Sequence, residues 1–409
     1  MDLLHPIPLP DPLPPDVIHT LAAIRRRRDL EASDTWRAVA GEVAARADAL
    51  SYGRPSKPAP VPPRAFLRVA SWNLQRGIRL DGIVAALQAH PALADLDVLL
   101  LNEVDAGMAR SRNLDVAAAI GEALGFSWVF GNSYVCLDLG DARDRRDGAG
   151  GENTHAMHGN AILSRWPLVR AENVAVQVTK DKFHSSEKRL GAKKALWAEV
   201  DTPAGRLAVG TAHLDSVASP AQRAAQLRDL LSAMDMTRPL PALVGGDFNT
   251  HTYDVRSLPR LVRNLFLKAV RGAFPHTIHH YMHPWELYER PVFETLEAAG
   301  FDWRPFNDLS RGTMRYEVGS FDSESSVREQ MPGVVVDLLR WKLRPWNGVV
   351  PMRMDWMAGR GLRALADGEV TEPGGRSSRS PTTAERPRWN GEKLSDHDPV
   401  IIDVVPARG

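Results

Sequence analysis

Apolar and polar residues follow two different periods along the chain. Residues 67–73 alternate with a period of two, and residues 96–101 form a short apolar run, as buried strands do. Residues 220–234 start at a proline and repeat their apolar positions at helical spacing. The same patterns predict a helix at 113–124 and further strands at 160–163, 196–200, 207–214, 242–246, 352–357 and 400–404. The chain is therefore expected to be a mixed α/β protein with a core of strands.

A proline-rich stretch divides the chain near residue 64. Residues 53–63 contain five prolines, too many for a helix or a central strand. Before this stretch, residues 17–50 have the apolar spacing of one or two helices. We therefore predict a Pro-rich and helical N-terminal extension with a linker at 1–64, followed by a larger domain at 65–409. We also predict that a mostly helical block at about 250–348 is inserted in that domain.

Composition excludes several classes of protein. Fifty-one Lys and Arg residues balance fifty Asp and Glu residues, so no overall basic field favours bulk binding to nucleic acid or membranes. The single cysteine, Cys136, excludes intramolecular disulfides and cysteine-ligated zinc or iron–sulfur centres. No apolar run reaches the length of a transmembrane helix, and the N-terminus lacks the pattern of a signal peptide. We expect a cytoplasmic, monomeric protein without a transmembrane segment.

Oxygen-bearing side chains recur where the predicted strands end. Asn73 closes the first strand, Glu103 follows the second, and Asp247 and Asn249 follow the strand at 242–246. A carboxylate directly after an apolar strand is costly to bury unless it meets a cation or hydrogen-bond donors. Several such carboxylates therefore indicate a shared cation.

The nature of these side chains indicates which cation and which chemistry. Carboxylates and amides without a thiolate are hard oxygen ligands, which suit Mg²⁺ or Mn²⁺ better than zinc or copper. His213, Asp355 and His397 also lie near the ends of predicted strands. Two histidines with further carboxylates can transfer protons and stabilise negative charge. The residues alone thus predict a metal-dependent phosphohydrolase.

Seven short motifs occur in one order between residues 68 and 404. They are Trp72-Asn73-Leu74-Gln75, Asn102-Glu103, Gly159-Asn160-Ala161-Ile162-Leu163-Ser164-Arg165, His213-Leu214-Asp215, Gly246-Asp247-Phe248-Asn249, Arg353-Met354-Asp355-Trp356 and Ser395-Asp396-His397. With these motifs the chain resembles the endonuclease/exonuclease/phosphatase superfamily. The resemblance implies a deoxyribonuclease-I-like α/β fold, a four-layer α/β/β/α sandwich with the site at one end of two facing sheets. It does not cover the N-terminal helical extension.

The resemblance also implies metal ligands. Asn73 and Glu103 match the metal-binding pair of the family, with Glu103 as the principal ligand for Mg²⁺ or Mn²⁺. Asp396 matches a second carboxylate that binds metal or positions water. Whether one ion or two act stays open.

Catalytic roles follow in the same way. Asp247 matches the aspartate that orients or deprotonates the attacking water, and Asn249 matches the asparagine that donates to the phosphoryl oxygens. His397 matches the histidine on the scissile phosphate, and Asp355 matches its carboxylate partner, which raises the basicity of the imidazole. His213 matches a histidine that stabilises the leaving group.

Substrate choice depends on the loops. Arg110, Arg112 and Asn113 follow Glu103 in a loop expected to contact substrate. Residues 251–274 have the pattern of a basic amphipathic helix, which fits a cap packed on the domain, a lipid-surface anchor or a nucleic-acid contact. The family includes nucleases, inositol-phosphate phosphatases and sphingomyelin phosphodiesterases, so the fold does not choose among them.

We therefore predict a phosphodiesterase or phosphatase in which an activated water attacks in line with the leaving group. The alternatives are a nuclease acting on DNA or RNA, a lipid-headgroup phosphodiesterase at a membrane surface, and a non-catalytic phosphoester-binding module. The expected partner is a small-molecule, lipid-headgroup or nucleic-acid phosphoester, with peripheral membrane contact in the lipid case.

Overall fold

Helices and strands alternate along the chain in the computed structural model, which describes residues 4–61, 63–140, 144–145, 151–185, 187–235, 240–251, 274–317, 341, 344 and 347–407. The helices are α1 (Pro15–Ala23), α2 (Arg27–Ala32), α3 (Asp34–Ala47), α4 (Leu80–Ala89), α5 (Val116–Leu124), α6 (Pro220–Asp235), α7 (Phe274–Met282) and α8 (Arg290–Ala298). Short 3-10 helices lie at Ala109–Ser111, Lys182–His184, Pro284–Glu286 and Arg304–Phe306.

The first sheet brings together strands from both ends of the chain. Across the sheet the order is β1 (Leu50–Gly53), β4 (Ser127–Cys136), β5 (Met157–Ser164), β3 (Val98–Ala106), β2 (Leu67–Arg76), β18 (Val400–Pro406) and β14 (Leu362–Ala364). In addition, β7 (Arg189–Gly191) pairs with β4, and β15 (Thr382–Thr383) pairs with β18. Because β2 and β3 are parallel, their carboxyl ends meet at the same edge of the sheet.

The second sheet consists of later strands. Its order is β13 (Asp355–Arg360), β10 (Ala242–Asp247), β9 (Gly205–Ala212), β8 (Lys194–Thr202) and β6 (Leu168–Ala175). The parallel pair β9 and β10 again places two carboxyl ends together, and antiparallel β13 places Asp355 opposite Asp247. Two small ribbons lie outside these sheets: β11 (Met314–Glu317) with β12 (Val349–Met352), and β16 (Arg388–Trp389) with β17 (Glu392–Lys393).

Neighbouring residues of one strand enter different apolar clusters, and this fixes the layers. Ala70 of β2 packs with Ile83 of α4 on the outer face of the first sheet. Val69 packs with Leu243 of β10 between the two sheets. On the outer face of the second sheet, Leu227 of α6 packs in a cluster that also contains α8. The order of layers is therefore helices, sheet, sheet, helices, and the predicted fold class is confirmed.

The helix α5 shows how local sequence signals set an element. Asp115 is the N-cap, and its side chain accepts a hydrogen bond of 3.0 Å from the backbone N–H of Ala118. Gly125 ends the helix in a left-handed conformation with φ of 69°, directly after the predicted end of the helix at residue 124. The helix is thereby held against the first sheet, next to the loop that follows β3.

The N-terminal extension packs on the first sheet. Leu21 of α1 and Val43 of α3 share an apolar cluster with Val135 of β4. The strand β1 pairs with β4, and Ile7 exchanges two backbone hydrogen bonds of 2.9 and 2.8 Å with Tyr52. The spacing at 17–50 predicts one or two helices, and the structure has three, α1, α2 and α3. The domain division near residue 64 stays a prediction.

One predicted strand is wrong in part. Residues 352–357 read as a single strand, but β12 ends at Met352 and β13 begins at Asp355. The reason lies in the intervening backbone: the N–H of Arg353 donates to Tyr281 O, and the N–H of Met354 donates to Thr313 Oγ1. These bonds to another segment replace the ladder that one strand would need.

The block at 250–348 is described only in part. It contains α7, α8 and β11, and the amphipathic helix expected at 251–274 lies outside the described residues except for its two ends. Across the described ranges, no helix combines the length and the hydropathy needed to span a lipid bilayer.

Arg68 of β2 and Asp403 of β18 form a buried ion pair across the first sheet. The guanidinium donates two hydrogen bonds of 2.8 and 2.7 Å, and the side chains are 3% and 0% exposed. Because Asp403→Ala leaves Arg68 as an uncompensated buried charge, we expect the free energy of unfolding to fall by about 3–5 kcal/mol in urea denaturation.

The matched control breaks an exposed ion pair of the same type. Arg112 and Asp81 are paired with side chains 53% and 62% exposed, so Asp81→Ala is expected to cost less than about 1 kcal/mol. Equal losses in the two variants would contradict the buried pair's structural role.

Candidate functional site

The parallel strands β2 and β3 end in irregular backbone. Their pairing shifts register after Asn73 and Asn102, which lie opposite each other. Gln75 and Glu103 then adopt left-handed conformations with φ of 48° and 50°, which are costly for residues other than glycine. Such bulges redirect side chains at the end of a strand. Successive side chains therefore no longer alternate strictly between the two faces of the sheet at Asn102 and Glu103.

The buried amide of Asn102 joins the two sheets. Its Nδ2 donates to Asn160 Oδ1 at 2.8 Å and to Thr211 Oγ1 at 3.0 Å, and its Oδ1 accepts from the backbone N–H of Asp247 at 2.8 Å. These partners lie on β5, β9 and β10. One side chain thus holds the ends of both sheets together.

Asp247 lies at a tight turn at the end of β10. Gly246 has φ of 141°, and a Cβ atom there would lie 2.1 Å from Ala212 O, so glycine is required. Asp247 Oδ1 accepts from the backbone N–H of Asn249 at 2.9 Å, and Asp247 Oδ2 accepts from Asn73 Nδ2 at 3.1 Å. The last bond brings the first sheet's Asn73 into direct contact with the second sheet's Asp247.

His397 and Asp355 form a buried pair beside Asp247. His397 Nδ1 lies 2.8 Å from Asp355 Oδ2, and His397 Nε2 lies 3.7 Å from Asp247 Oδ2. Trp72 Nε1 donates to His397 O at 3.0 Å, and the His397 N–H donates to Ser395 Oγ at 3.1 Å. Because a carboxylate only accepts hydrogen bonds, Nδ1 of this ring carries a hydrogen and donates it to Asp355.

A second imidazole approaches the same carboxylate. His213 follows β9, and its Nε2 lies 3.5 Å from Asp247 Oδ2. In the described part of the chain, Asp247, Asp355 and His397 form a group whose potential metal-ligand atoms all lie within 4.8 Å of one another. Asp247 is therefore the side chain on which the two sheets and both histidines converge.

The two imidazoles differ in protonation. Burial lowers the pKa of His397, but the carboxylates of Asp355 and Asp247 outweigh burial and raise it well above the usual range. Burial together with the positive charge of Lys193 lowers the pKa of His213 well below the usual range. Burial raises the pKa of Asp247 to about 7, although His397 opposes this effect. At neutral pH a charged His397 and a neutral His213 therefore flank Asp247.

Glu103 lies in a positive field without a direct partner. Among the described residues, no donor forms a hydrogen bond or ion pair with its half-buried carboxylate. Burial raises the pKa of this carboxyl group. The charge of His213, present at the acidic pH where the carboxyl group titrates, and the charge of Arg76 outweigh burial and hold this pKa well below the usual range. Glu103 is therefore a carboxylate anion that no neighbouring side chain neutralises by contact.

The structure brings most of the predicted site residues to one end of the two sheets. Direct contacts of 3.7 Å or less connect Asn73, His213, Asp247, Asn249, Asp355 and His397. Asp396 is exposed, and its carboxylate accepts from Ser395 Oγ at 3.4 Å. The roles that the sequence assigns to these residues stay predictions.

The predicted substrate contacts lie in different environments. Arg110 is fully buried and donates to Asp105 at 2.7 and 2.9 Å, which argues against substrate contact because its guanidinium has no exposed surface. Arg112 is exposed and paired with Asp81. Asn113 is half-buried and donates to Glu152 O at 2.8 Å.

Sequence reasoning missed two members of the site. Asn102 belongs to the Asn102-Glu103 motif, but only Glu103 receives a role from the sequence. Lys193 precedes β8, and burial lowers its pKa to about 7, while the charges of Asp247 and Glu103 act to raise it. The signal for Lys193 is a pair of lysines directly before an apolar strand, a pattern that also fits a solvated strand end.

One known protein family matches the region of the chain that contains the seven sequence motifs. A profile of the Endonuclease/Exonuclease/phosphatase family matches residues 70–397. No curated protein matches the chain.

The solved structures that match the chain share little sequence with it. The endonuclease/exonuclease/phosphatase from Beutenbergia cavernae DSM 12333 is 19% identical with a TM-score of 0.45, covering 84% of this chain and 72% of that chain. The human Nocturnin catalytic domain with bound sulfate anion is 16% identical with a TM-score of 0.45, at 88% and 98% coverage. Sphingomyelinase C from Streptomyces griseocarneus is 15% identical with a TM-score of 0.39, at 83% and 99% coverage.

The buried charges around Arg110 predict a pH-dependent stability. Glu187 accepts from Arg110 at 3.0 Å and pairs with Arg189. Burial raises the pKa of Glu187, but these two arginines outweigh burial and hold it well below the usual range. Such a carboxylate stabilises the fold above its unfolded-state pKa of about 4.3, and the contribution is lost as pH falls through the folded pKa.

Glu187→Gln tests this contribution. At pH 7 we expect the variant to lose about 3 kcal/mol of unfolding free energy, because two buried guanidinium groups lose a compensating charge. The difference from the wild type should shrink as pH falls below about 4.3, when the wild-type carboxylate also loses its advantage. Urea denaturation at pH 7, 5 and 3.5 measures it, and a constant difference over this range would contradict the ion-pair assignment.

Proposed function

The chain belongs to the endonuclease/exonuclease/phosphatase family, and we propose that it is a divalent-metal-dependent hydrolase in which an activated water cleaves a phosphoester bond. Enzymes of this family generally hydrolyse phosphoesters, and the match over residues 70–397 supports that general activity for this chain. Metal dependence and the individual roles of the residues are the finer parts of the proposal.

The observation that carries the proposal is the unpartnered carboxylate of Glu103. Its backbone is held in a left-handed bulge, and strain of this kind persists where function or the surrounding structure requires it. Within the described residues, the carboxylate forms no hydrogen bond or ion pair with a side chain or a backbone donor. A half-buried anion without a partner costs free energy that a bound cation offsets. Glu103 thus fits the principal ligand of a divalent ion.

Asn73 and Asp396 are the other proposed ligands. Asn73 lies opposite Asn102, the residue before Glu103, and Asp396 is an exposed carboxylate next to His397. Oxygen donors without a thiolate favour Mg²⁺ or Mn²⁺. A bound ion supplies positive charge that polarises the phosphoryl group.

The group of Asp247, Asp355 and His397 offers a competing place for the ion. The distances of 2.8 and 3.7 Å put the His397 ring between the two carboxylates. A protonated His397 compensates their negative charge, so this group already contains a cation. We therefore assign the metal ion to Glu103 and the stabilisation of phosphoryl charge to His397.

Asp247 and Asn249 are assigned to the attacking water and the phosphoryl oxygens. Asp247 accepts the proton of the water as the water oxygen bonds to phosphorus and the ester oxygen leaves. Asn249 Nδ2 donates to Leu214 O at 2.9 Å, so its second hydrogen can serve a phosphoryl oxygen. The ester oxygen leaves as an anion. His213, which is neutral, is assigned to a hydrogen bond that stabilises this anion until it takes a proton from solvent.

A panel of compounds is needed to identify which class of phosphoester the protein hydrolyses. Metal-dependent turnover is to be measured on DNA, RNA, sphingomyelin, phosphoinositides and aryl phosphodiesters. A nuclease, a lipid-headgroup phosphodiesterase and a small-molecule hydrolase each act on a different part of this panel. Absence of turnover on all of it would favour the non-catalytic binding module.

Asp247→Ala and His397→Ala test the two central assignments. We expect each to lower metal-dependent turnover by at least about 10²-fold, because proton acceptance or charge stabilisation is lost. In the wild type, EDTA should abolish turnover, and Mg²⁺ or Mn²⁺ should restore it. The control His19→Ala changes a histidine whose side chain is 66% exposed and should keep wild-type turnover. Full activity of a folded Asp247→Ala variant would refute the mechanism.

Asp355→Asn tests the partner of His397. The amide keeps the size of the side chain but removes the negative charge that favours the protonated ring. We expect kcat to fall by about 10²-fold with KM changed by less than about 3-fold, since the ground-state contacts remain. Steady-state kinetics measure this split, and a variant with the wild-type kcat would show that Asp355 does not act through His397.

A further inference from the structure

His158 of β5 lies on the inner face of the first sheet, and neither the sequence motifs nor the proposed mechanism uses it. Residues two apart on a strand share a face. Asn160 faces the second sheet, because its Nδ2 donates to Lys194 O of β8 at 2.9 Å. His158 therefore faces the second sheet as well. It lies opposite Asp105, two residues after Glu103, and so at the end of the sheet that carries the site.

The orientation of His158 is fixed by Asp105. The His158 Nδ1 lies 2.7 Å from Asp105 Oδ1, and the Asp105 side chain is fully buried. Because the carboxylate accepts, Nδ1 carries the hydrogen, and Nε2 is the atom left for another partner. Among the described residues, no group is hydrogen-bonded to Nε2, and the atom is not one of the buried unpartnered atoms. The His158 side chain is 7% exposed, and we infer that this small surface includes Nε2.

Asp105 does not need His158 to satisfy its charge. Arg110 donates to both carboxylate oxygens of Asp105, at 2.7 and 2.9 Å, and is itself fully buried. A histidine whose only task was to neutralise Asp105 would be redundant. The arrangement instead resembles the pair His397 and Asp355, in which a buried carboxylate orients a ring toward the site.

Electrostatic coupling shows that His158 lies near the site. Burial lowers the pKa of His158 itself. Burial raises the pKa of Glu103, and a protonated His158 is one of the groups that lower it. Burial and Lys193 lower the pKa of His213, and His158 contributes in the same direction. His158 is thus close enough to both residues to influence them.

We propose that His158 is a further catalytic residue, whose Nε2 forms a hydrogen bond with the phosphoester substrate on the side of Glu103 and His213. Asp105 is its positioning residue. This inference rests on the proposed function, since it requires a phosphoester bound at the same site. It adds a third imidazole to the two that the sequence motifs provide.

His158→Ala tests the inference in the full-length, metal-loaded protein. The probe is bis(4-nitrophenyl) phosphate, or the panel substrate that the wild type turns over fastest. We expect kcat to fall by about 10²-fold with KM within about 3-fold, because the hydrogen bond acts in the transition state. Added imidazole should restore part of the lost kcat, which it would not do for a residue with a purely structural role. Asp105→Asn should lower kcat as well, since the amide no longer enforces the Nδ1–H tautomer.

Two further variants keep the test decisive. His158→Gln retains the bulk of the side chain and is measured in case His158→Ala does not fold; its kcat is also expected to fall. The control His155→Ala changes a half-buried histidine three residues away, whose Nδ1 lies 3.1 Å from Pro10 O, and should retain the wild-type kcat.

The outcomes separate this inference from the proposed function. A wild type that turns over substrate, together with fully active His158→Ala or His158→Gln variants, overturns the role of His158 alone. If the wild type turns over no substrate of the panel, both the proposed function and this inference are overturned.

Discussion

The side chain of Asn102 joins the two sheets at the end where the site lies. Its buried amide is satisfied by Asn160 of the first sheet and by Thr211 and the Asp247 backbone of the second. Leaving such a buried group unsatisfied costs about 1–3 kcal/mol, so few relative positions of the sheets are compatible with it. Once the sheets are fixed in this way, Asn73 reaches Asp247 across the interface. The precision of the site is therefore a property of the interface between the sheets.

Charge in the site is divided between two centres. On one side, His397 lies between Asp355 and Asp247 and carries the positive charge that those carboxylates favour. On the other side, Glu103 remains an anion without a contact in the described residues. In the proposed function, a phosphoester bound between the centres would meet the imidazolium of His397 on one side and a metal ion held by Glu103 on the other. This division explains why one end of the sandwich holds so many ionisable groups.

Local patterns predicted much of the fold, and distant contacts explain what they missed. The end of α5 at Gly125 and the oxygen-bearing side chains at strand ends can be predicted because their signals are adjacent in sequence. The strand β4 cannot be predicted in this way, because Gly131, Asn132 and Ser133 in its middle have the composition of a turn. Arg110 pairs with Asp105, five residues before it, and also with Glu187, far along the chain. The second carboxylate reaches Arg110 only in the folded protein, so no local pattern indicates that Arg110 is buried.

The most direct test of this account is where a divalent ion binds. Mn²⁺ titration, followed by electron paramagnetic resonance, compares the wild type with Glu103→Gln and Asp355→Asn. We predict that Glu103→Gln loses at least about 10-fold in affinity, while Asp355→Asn binds Mn²⁺ as the wild type does. Loss of binding in Asp355→Asn with wild-type affinity in Glu103→Gln would place the ion among Asp247, Asp355 and His397 and contradict the division into two centres.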